Sequence, residues 1–117
     1  MIYVTGDIHG EIDISKLNTQ NFSQAKAGDY LIVCGDFGLI WDMKPSRAEE
    51  YWMKWLSEKP WITLFVDGNH ENFDRLKNYP ITEEWGGDGA YVDERTINKS
   101  VCNCSDRNNL FLFIYLY

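Results

Sequence analysis

The chain has 117 residues, of which 44% are hydrophobic and 15% are aromatic. This length is that of one domain, and the composition excludes an intrinsically disordered protein. Eighteen acidic residues against eleven basic ones give a net charge of −7. The charge argues against a general binder of nucleic acid or anionic membranes, because such proteins neutralise phosphates with Lys and Arg.

The N-terminus does not predict a secretory signal, since the first apolar residues run directly into Gly6 and Asp7. No apolar stretch approaches the ~20 residues of a membrane span. The three cysteines, Cys34, Cys102 and Cys104, lack the spacing of a disulfide framework. These features predict a cytoplasmic protein that does not cross a membrane.

Three short apolar runs predict strands, at residues 2–5, 30–34 and 61–66. Their near-continuous apolarity is typical of strands buried on both faces of a parallel sheet that helices cover. Each run ends in a polar cluster, and about 30 residues separate one cluster from the next, as in a strand–crossover–strand unit. Parallel strands with right-handed crossovers therefore place the three clusters together at one edge of the sheet.

A helix is predicted between the second and third runs. Ser46 and Glu49 have the spacing of a capping box, and apolar residues recur at helical period from Ala48 to Leu56. Pro60 ends the segment. Elsewhere the pattern predicts a short helix at residues 11–17, a polar loop at 18–27, a glycine-rich loop at 83–89 and a strand-like run at 110–117.

The polar clusters supply the ligands of a divalent metal. Their carboxylate, imidazole and amide side chains belong to Asp7, His9, Asp36, Asn69 and His70. This donor set suits Mn, Fe or Zn, and Asp36 has two oxygens with which to bridge two ions. Two ions ~3.5–4 Å apart clamp a phosphoryl group and turn a bridging water into hydroxide near neutral pH. His70 is then the candidate catalytic residue, as hydrogen-bond donor to the phosphoryl oxygens or proton donor to the leaving group.

The clusters GDIHG at 6–10, GDFG at 35–38 and GNHE at 68–71, in this order, resemble the motifs of the calcineurin-like metallophosphoesterase superfamily. The similarity is closest to its compact bacterial and phage metallophosphatases and covers residues 1–87. It implies an α/β fold, a metallophosphoesterase-type sandwich of mixed sheets flanked by helices. Glu71 is interpreted as a carboxylate that supports the ligands or a helix N-terminus, rather than as a ligand.

The resemblance also implies a role for each polar side chain. Asp7 and His9 would bind the first metal, Asp36 would bridge, Asn69 would bind the second metal, and His70 would lie near the phosphate. The family completes this site with later histidines, including a Gly-His-x-His motif, whereas this chain has two histidines in all. We therefore expect residues 1–87 to form the N-terminal half of the domain and residues 88–117 a divergent tail. Two, one or no divalent ions remain as alternatives for the cofactor.

Two functions follow from these observations. The first is a hydrolase of phosphate esters that uses a dinuclear metal centre and a bridging hydroxide. The alternative, suggested by the missing histidines, is a non-catalytic remnant that binds metal weakly. It would depend on a partner or on self-association through an exposed sheet edge or residues 110–117. A nucleotide-binding module is disfavoured because the chain has neither G-x-G-x-x-G nor G-x-x-x-x-G-K-[ST].

Overall fold

A computed structural model of the chain describes residues 1–84, 87–93 and 96–98. In this part of the chain, strands are β1 (Ile2–Gly6), β2 (Tyr30–Cys34), β3 (Ile62–Val66), β4 (Ile81–Glu84), β5 (Gly87–Asp93) and β6 (Thr96–Asn98). The helical elements are two 3-10 turns (Gly10–Ile12 and Ile14–Lys16), α1 (Arg47–Ser57) and α2 (Phe73–Leu76). None of these described helices has the length and apolarity that crossing a membrane requires.

The strands form one mixed sheet in the order β1-β2-β3-β6-β5-β4. The first four are parallel in this order, and β5 and β4 continue the sheet in antiparallel pairing. Gly6 lies opposite Cys34, and Cys34 lies opposite Val66, so the three predicted strands end at the same level. The predicted α/β fold is confirmed. The described residues contain one sheet, where the resemblance implies a sandwich of sheets.

The hydrophobic core lies on one side of the sheet. Successive side chains of a strand point to opposite faces, so Leu31, Val33 and Phe65 share a face. All three belong to one buried cluster with Leu56 of α1 and the fully buried Trp61. Burying a large apolar side chain contributes about 1.5–3 kcal/mol, so this cluster is what holds the helices against the sheet.

The opposite face of the sheet is covered unevenly. Leu64 and Ile97, near its centre, are only 6% and 2% exposed, and Ile32 is partly buried. On the edge strand β1, Ile2 and Val4 are 56% and 65% exposed. An apolar strip along β1 is therefore open to water.

The predicted helix is present as α1, and its N-terminus is capped as expected. Ser46 has an extended backbone conformation, and its Oγ accepts a hydrogen bond of 3.1 Å from the backbone N–H of Glu49. The Glu49 carboxylate does not complete a capping box, because it forms a two-pronged ion pair with Arg75 at 2.6 and 2.8 Å. This pair joins α1 to α2.

Two other expectations need correction. The short helix predicted at residues 11–17 is instead two 3-10 turns. The glycine-rich loop predicted at 83–89 is wrong: β4 and β5 pair there, with Glu84 opposite Gly87. Glycine weakens a strand but does not prevent backbone pairing.

The division of the chain after residue 87 stays a prediction, although the sheet continues beyond it. The run 110–117, Cys102 and Cys104 lie outside the described residues.

Candidate metal centre

The loops that follow β1 and β2 are held together by their backbones. The carbonyl of Asp36 accepts hydrogen bonds from Ile8 N at 3.1 Å and from His9 N at 2.9 Å. His9 and Asp36 both have left-handed backbones, with φ of 47° and 38°. His and Asp are among the side chains that tolerate this region best, yet each such residue costs about 1–3 kcal/mol. The fold thus concentrates backbone strain where two of the predicted ligands lie.

The loop after β3 reaches Asp36 because Gly68 has no side chain. A Cβ atom at Gly68 would lie 1.9 Å from Asp36 Oδ1 and 2.3 Å from Asp36 N. The close approach lets two backbone N–H groups donate to Asp36 Oδ1, from Asn69 at 2.7 Å and from His70 at 3.1 Å. Asp36 therefore ties the second and third loops together.

The other carboxylate oxygen of Asp36 faces two imidazoles. Oδ2 lies 3.0 Å from Nδ1 of His70 and 3.8 Å from Nε2 of His9. One candidate ligand atom from each of these three residues lies within 4.8 Å of the others. The two rings meet edge to face with their centroids 4.9 Å apart. A carboxylate and two imidazoles at this separation have the chemistry and the spacing to hold one divalent ion of the Mn, Fe or Zn type.

The surroundings of Asp36 favour the charged form of its carboxylate, which attracts a cation. Burial on its own would raise the pKa of its carboxyl, but hydrogen bonds from the His70 ring and from the backbone of His70 and Asn69 outweigh burial and lower the pKa. The group is thus anionic at neutral pH. Because Oδ1 is engaged by two backbone donors, the carboxylate keeps a fixed orientation and presents Oδ2 to the histidines.

Glu71 connects the loops that carry these side chains. Its carboxylate is only 5% exposed and accepts hydrogen bonds from the backbones of Gly38 and Gly68, both at 2.9 Å. Burial raises the pKa of the Glu71 carboxyl, although both hydrogen bonds act to lower it. By joining the loops after β2 and β3, Glu71 has the supporting position that its place in the sequence predicted.

Asn69 lies at the same centre. Its side-chain amide faces the Asp36 carboxylate, and with the nitrogen turned toward the carboxylate the amide donates at 3.0 and 3.2 Å to the two oxygens. That orientation leaves its carbonyl oxygen as the atom with which Asn69 would bind a metal.

Asp7 extends its carboxylate toward Gly35, the residue that precedes Asp36. It is exposed and is not in the group formed by His9, Asp36 and His70. Its Oδ1 lies beside Gly35, 3.3 Å from where a Cβ atom would be. The structure thus brings His9, Asp36, Asn69 and His70 together and places the Asp7 carboxylate beside the residue that precedes Asp36. Their metal-binding and catalytic roles stay predictions.

Two residues near the centre were missed by the sequence reasoning. Lys16 donates from Nζ to the carbonyls of Gly6 and Asp7, both at 2.8 Å, and so holds the loop after β1. Trp41 lines a cleft of about 390 Å³ together with both histidines. Trp41 could have been identified from the sequence as an aromatic residue that follows the second cluster closely. No local pattern indicated the role of Lys16.

The sequence was compared with protein families and with known proteins. The sequence model of the calcineurin-like phosphoesterase family matches residues 1–114. No curated protein and no solved structure matches the chain. The family match extends beyond the three clusters and covers nearly the whole chain, including the residues that meet at the sheet edge. The chain therefore belongs to the calcineurin-like phosphoesterase family.

Proposed function

We propose that the protein is a metal-dependent hydrolase of phosphate esters. The observation that carries this proposal is the position of Asp36 Oδ2, between Nδ1 of His70 and Nε2 of His9. The family match supports the same class of reaction. Manganese, iron and zinc all suit the donors, and Mn²⁺ is the ion that we propose to test first.

The residues present fit a divalent ion. His9 would bind through Nε2 and Asp36 through Oδ2, with Asp7 and Asn69 as proposed further ligands toward one or two ions. When bound, such ions supply a Lewis acid for the phosphoryl group and water with a lowered pKa. The protein's own contribution is a carboxylate fixed by the backbone N–H groups of Asn69 and His70, so that it need not reorient when substrate arrives.

His70 is placed to act on the substrate. Its Nδ1 contacts Asp36 at 3.0 Å, which orients the ring and leaves Nε2 for the ligand. In hydrolysis, a water oxygen bonds to phosphorus while the ester P–O bond breaks. We propose that His70 donates a hydrogen bond from Nε2 to the phosphoryl oxygens and gives that proton to the departing oxygen, while the proton released by the attacking water returns to His70 through solvent.

The test compares the wild-type protein with Asp36→Asn on an aryl phosphate and a bis-aryl phosphate in Mn²⁺. Asparagine tolerates the left-handed backbone at this position, so the fold should persist. We expect kcat/KM to fall by roughly 100-fold or more, and EDTA to abolish the wild-type activity. Asp74→Asn, which removes an exposed carboxylate on α2, is the matched control and should behave as wild type. Equal rates for wild type and Asp36→Asn would reject the proposal.

A second candidate is a non-catalytic protein that binds one metal and self-associates. Two observations favour it: three side chains with atoms that could bind a metal group together within the described residues, and β1 exposes Ile2 and Val4. It predicts at most one metal per chain and no turnover. Elemental analysis that finds two tightly bound ions per chain would exclude it.

We propose the cytoplasm as the compartment. Cys34 is a free cysteine in the described part of the chain, and its partial burial raises the pKa of its thiol. A free thiol is the usual state of cysteine in a reducing compartment. Labelling of the protein in intact cells with a thiol reagent after denaturation would show whether Cys34 is reduced there.

A further inference from the structure

Trp41 presents an aromatic surface beside the candidate metal centre. Its side chain is 55% exposed, and its ring centroid lies 5.8 Å from that of His70, with the planes tilted by 37°. Both rings line the same cleft as His9. A large aromatic side chain at the mouth of such a cleft offers much apolar contact area to a ligand, with few rotatable bonds to be ordered.

The loop that carries Trp41 is fixed by the N-terminus of α2. The carbonyl of Ile40 accepts from Asn72 N at 2.8 Å, and the carbonyl of Trp41 accepts from Asn72 Nδ2 at 3.1 Å. The next carbonyl, of Asp42, accepts from Arg75 at 2.9 Å. Three consecutive carbonyls are thus held, so the backbone that carries the indole has a fixed place beside the histidines.

The charges around the cleft select against a polyanion. Glu11 and Asp42 line it, and neither Lys nor Arg is found among the described lining residues. Arg75 is nearby, but its guanidinium is already paired with Glu49. The acidic lining repels each phosphate, so the repulsion grows with the number of phosphates and is smallest for a single phosphoryl group with an uncharged apolar body.

We propose that Trp41 is the stacking surface for an aromatic or heteroaromatic group attached to the phosphoryl group that is cleaved. This inference rests on the proposed function and narrows its substrate class to phosphate esters with a flat, uncharged leaving group. The phosphoryl group lies at the metal centre with His70, and the ring beyond the breaking P–O bond stacks on the indole. Ile12, 83% exposed on the lining of the cleft, adds aliphatic surface.

The test measures binding rather than turnover. Calorimetry on the Mn²⁺-loaded full chain gives dissociation constants for phenylphosphonate and methylphosphonate, which carry the same charge and cannot be hydrolysed at an ester. We expect the wild type to prefer phenylphosphonate by roughly tenfold, as one aromatic contact provides. Trp41→Ala should lose most of this preference and Trp41→Phe should keep most of it. Tyr51→Ala, which removes an exposed aromatic on α1 outside the cleft, should leave the preference unchanged.

Each outcome decides a different point. If Trp41→Ala keeps the wild-type preference, or if the wild type binds both phosphonates equally well, the stacking proposal is wrong while the hydrolase proposal stands. If the wild type binds neither compound in Mn²⁺, the stacking proposal is wrong, and the rates of wild type and Asp36→Asn decide the hydrolase proposal separately. Circular dichroism of each variant, compared with wild type, shows whether a loss of binding reflects a loss of fold.

Discussion

His9 and Asp36 combine a strained backbone with a chemical role. Their left-handed conformations turn the chain sharply at the ends of β1 and β2, so that both side chains face one point. The strain is offset by hydrogen bonds to the Asp36 carbonyl and to its carboxylate. Gly68 is as important as the ligands, since its missing side chain makes room for Asp36.

Gly68→Ala tests this close approach. Its Cβ would collide with Asp36, so the loop after β3 must move, and the backbone donors of Asn69 and His70 move with it. We expect the affinity for Mn²⁺ to fall about tenfold or more and the free energy of unfolding to fall by about 1–3 kcal/mol.

The matched control for this change is Gly6→Ala. A Cβ atom at Gly6 would meet only the Cys34 carbonyl, at an ordinary distance of 3.9 Å. We expect Mn²⁺ affinity and thermal stability close to wild type for this variant. Titration of both variants with Mn²⁺, together with urea denaturation, makes the comparison. An unchanged Mn²⁺ affinity in Gly68→Ala would contradict the role given to the close approach.

Among the elements, α1, α2 and the loop at Trp41 act as one unit. Glu49 lies in the first turn of α1 and is 5% exposed, and its carboxylate binds Arg75 of α2 in a bidentate pair. Arg75 also donates to the Asp42 carbonyl. One guanidinium therefore connects two helices and the loop that borders the cleft, which Lys could not reproduce with its single ammonium group.

Arg75→Met should cost about 3–5 kcal/mol of unfolding free energy, because it leaves the buried Glu49 carboxylate without its cation. Urea denaturation measures this loss. Lys77→Met, which removes an exposed cation at the end of α2, serves as the control and should change stability by less than about 0.5 kcal/mol.

The double variant Glu49→Leu with Arg75→Met completes a thermodynamic cycle. Replacing both partners by apolar side chains removes the unpaired charge, so we expect part of the lost stability to return. If the effects of the two single changes simply add, the ion pair does not couple α1 to α2 as the structure indicates.

At the scale of the whole molecule, the two faces of the sheet differ. Helices and the buried cluster occupy one face, whereas Ile2 and Val4 on the edge strand β1 remain exposed on the other. Exposed apolar residues on an edge strand favour pairing with a second chain. The net charge of −7 opposes such association at low ionic strength and should oppose it less in salt, where repulsion is screened.

We therefore expect concentration-dependent self-association that is stronger in salt. Val4→Lys should weaken it about tenfold or more, because a charge would be placed in the apolar contact. Met43→Lys, which adds the same charge at another exposed apolar residue outside β1, should have a much smaller effect. Sedimentation equilibrium distinguishes these outcomes, and a wild-type protein that stays monomeric across the accessible concentrations would contradict the expectation.

Local patterns were sufficient to predict a large part of the fold. Continuous apolar runs identified β1, β2 and β3, and helical periodicity with a serine cap identified α1. The hairpin of β4 and β5 was not predicted, because glycine and acidic residues there have low intrinsic strand preference. Backbone pairing with a neighbouring strand overrides that preference, and it is not visible along the chain.

The sequence by itself predicted which polar side chains follow the ends of the parallel strands and meet at one edge, namely those of Asp7, His9, Asp36, Asn69 and His70. Tertiary structure alone decided how they meet. It grouped His9, Asp36 and His70 within 4.8 Å, joined the loops after β2 and β3 through Glu71 and placed Trp41 beside His70. These outcomes depend on hydrogen bonds and close contacts between residues about 30 positions apart, as between Asn69 and Asp36, and such distances arise only when the sheet brings the loops together.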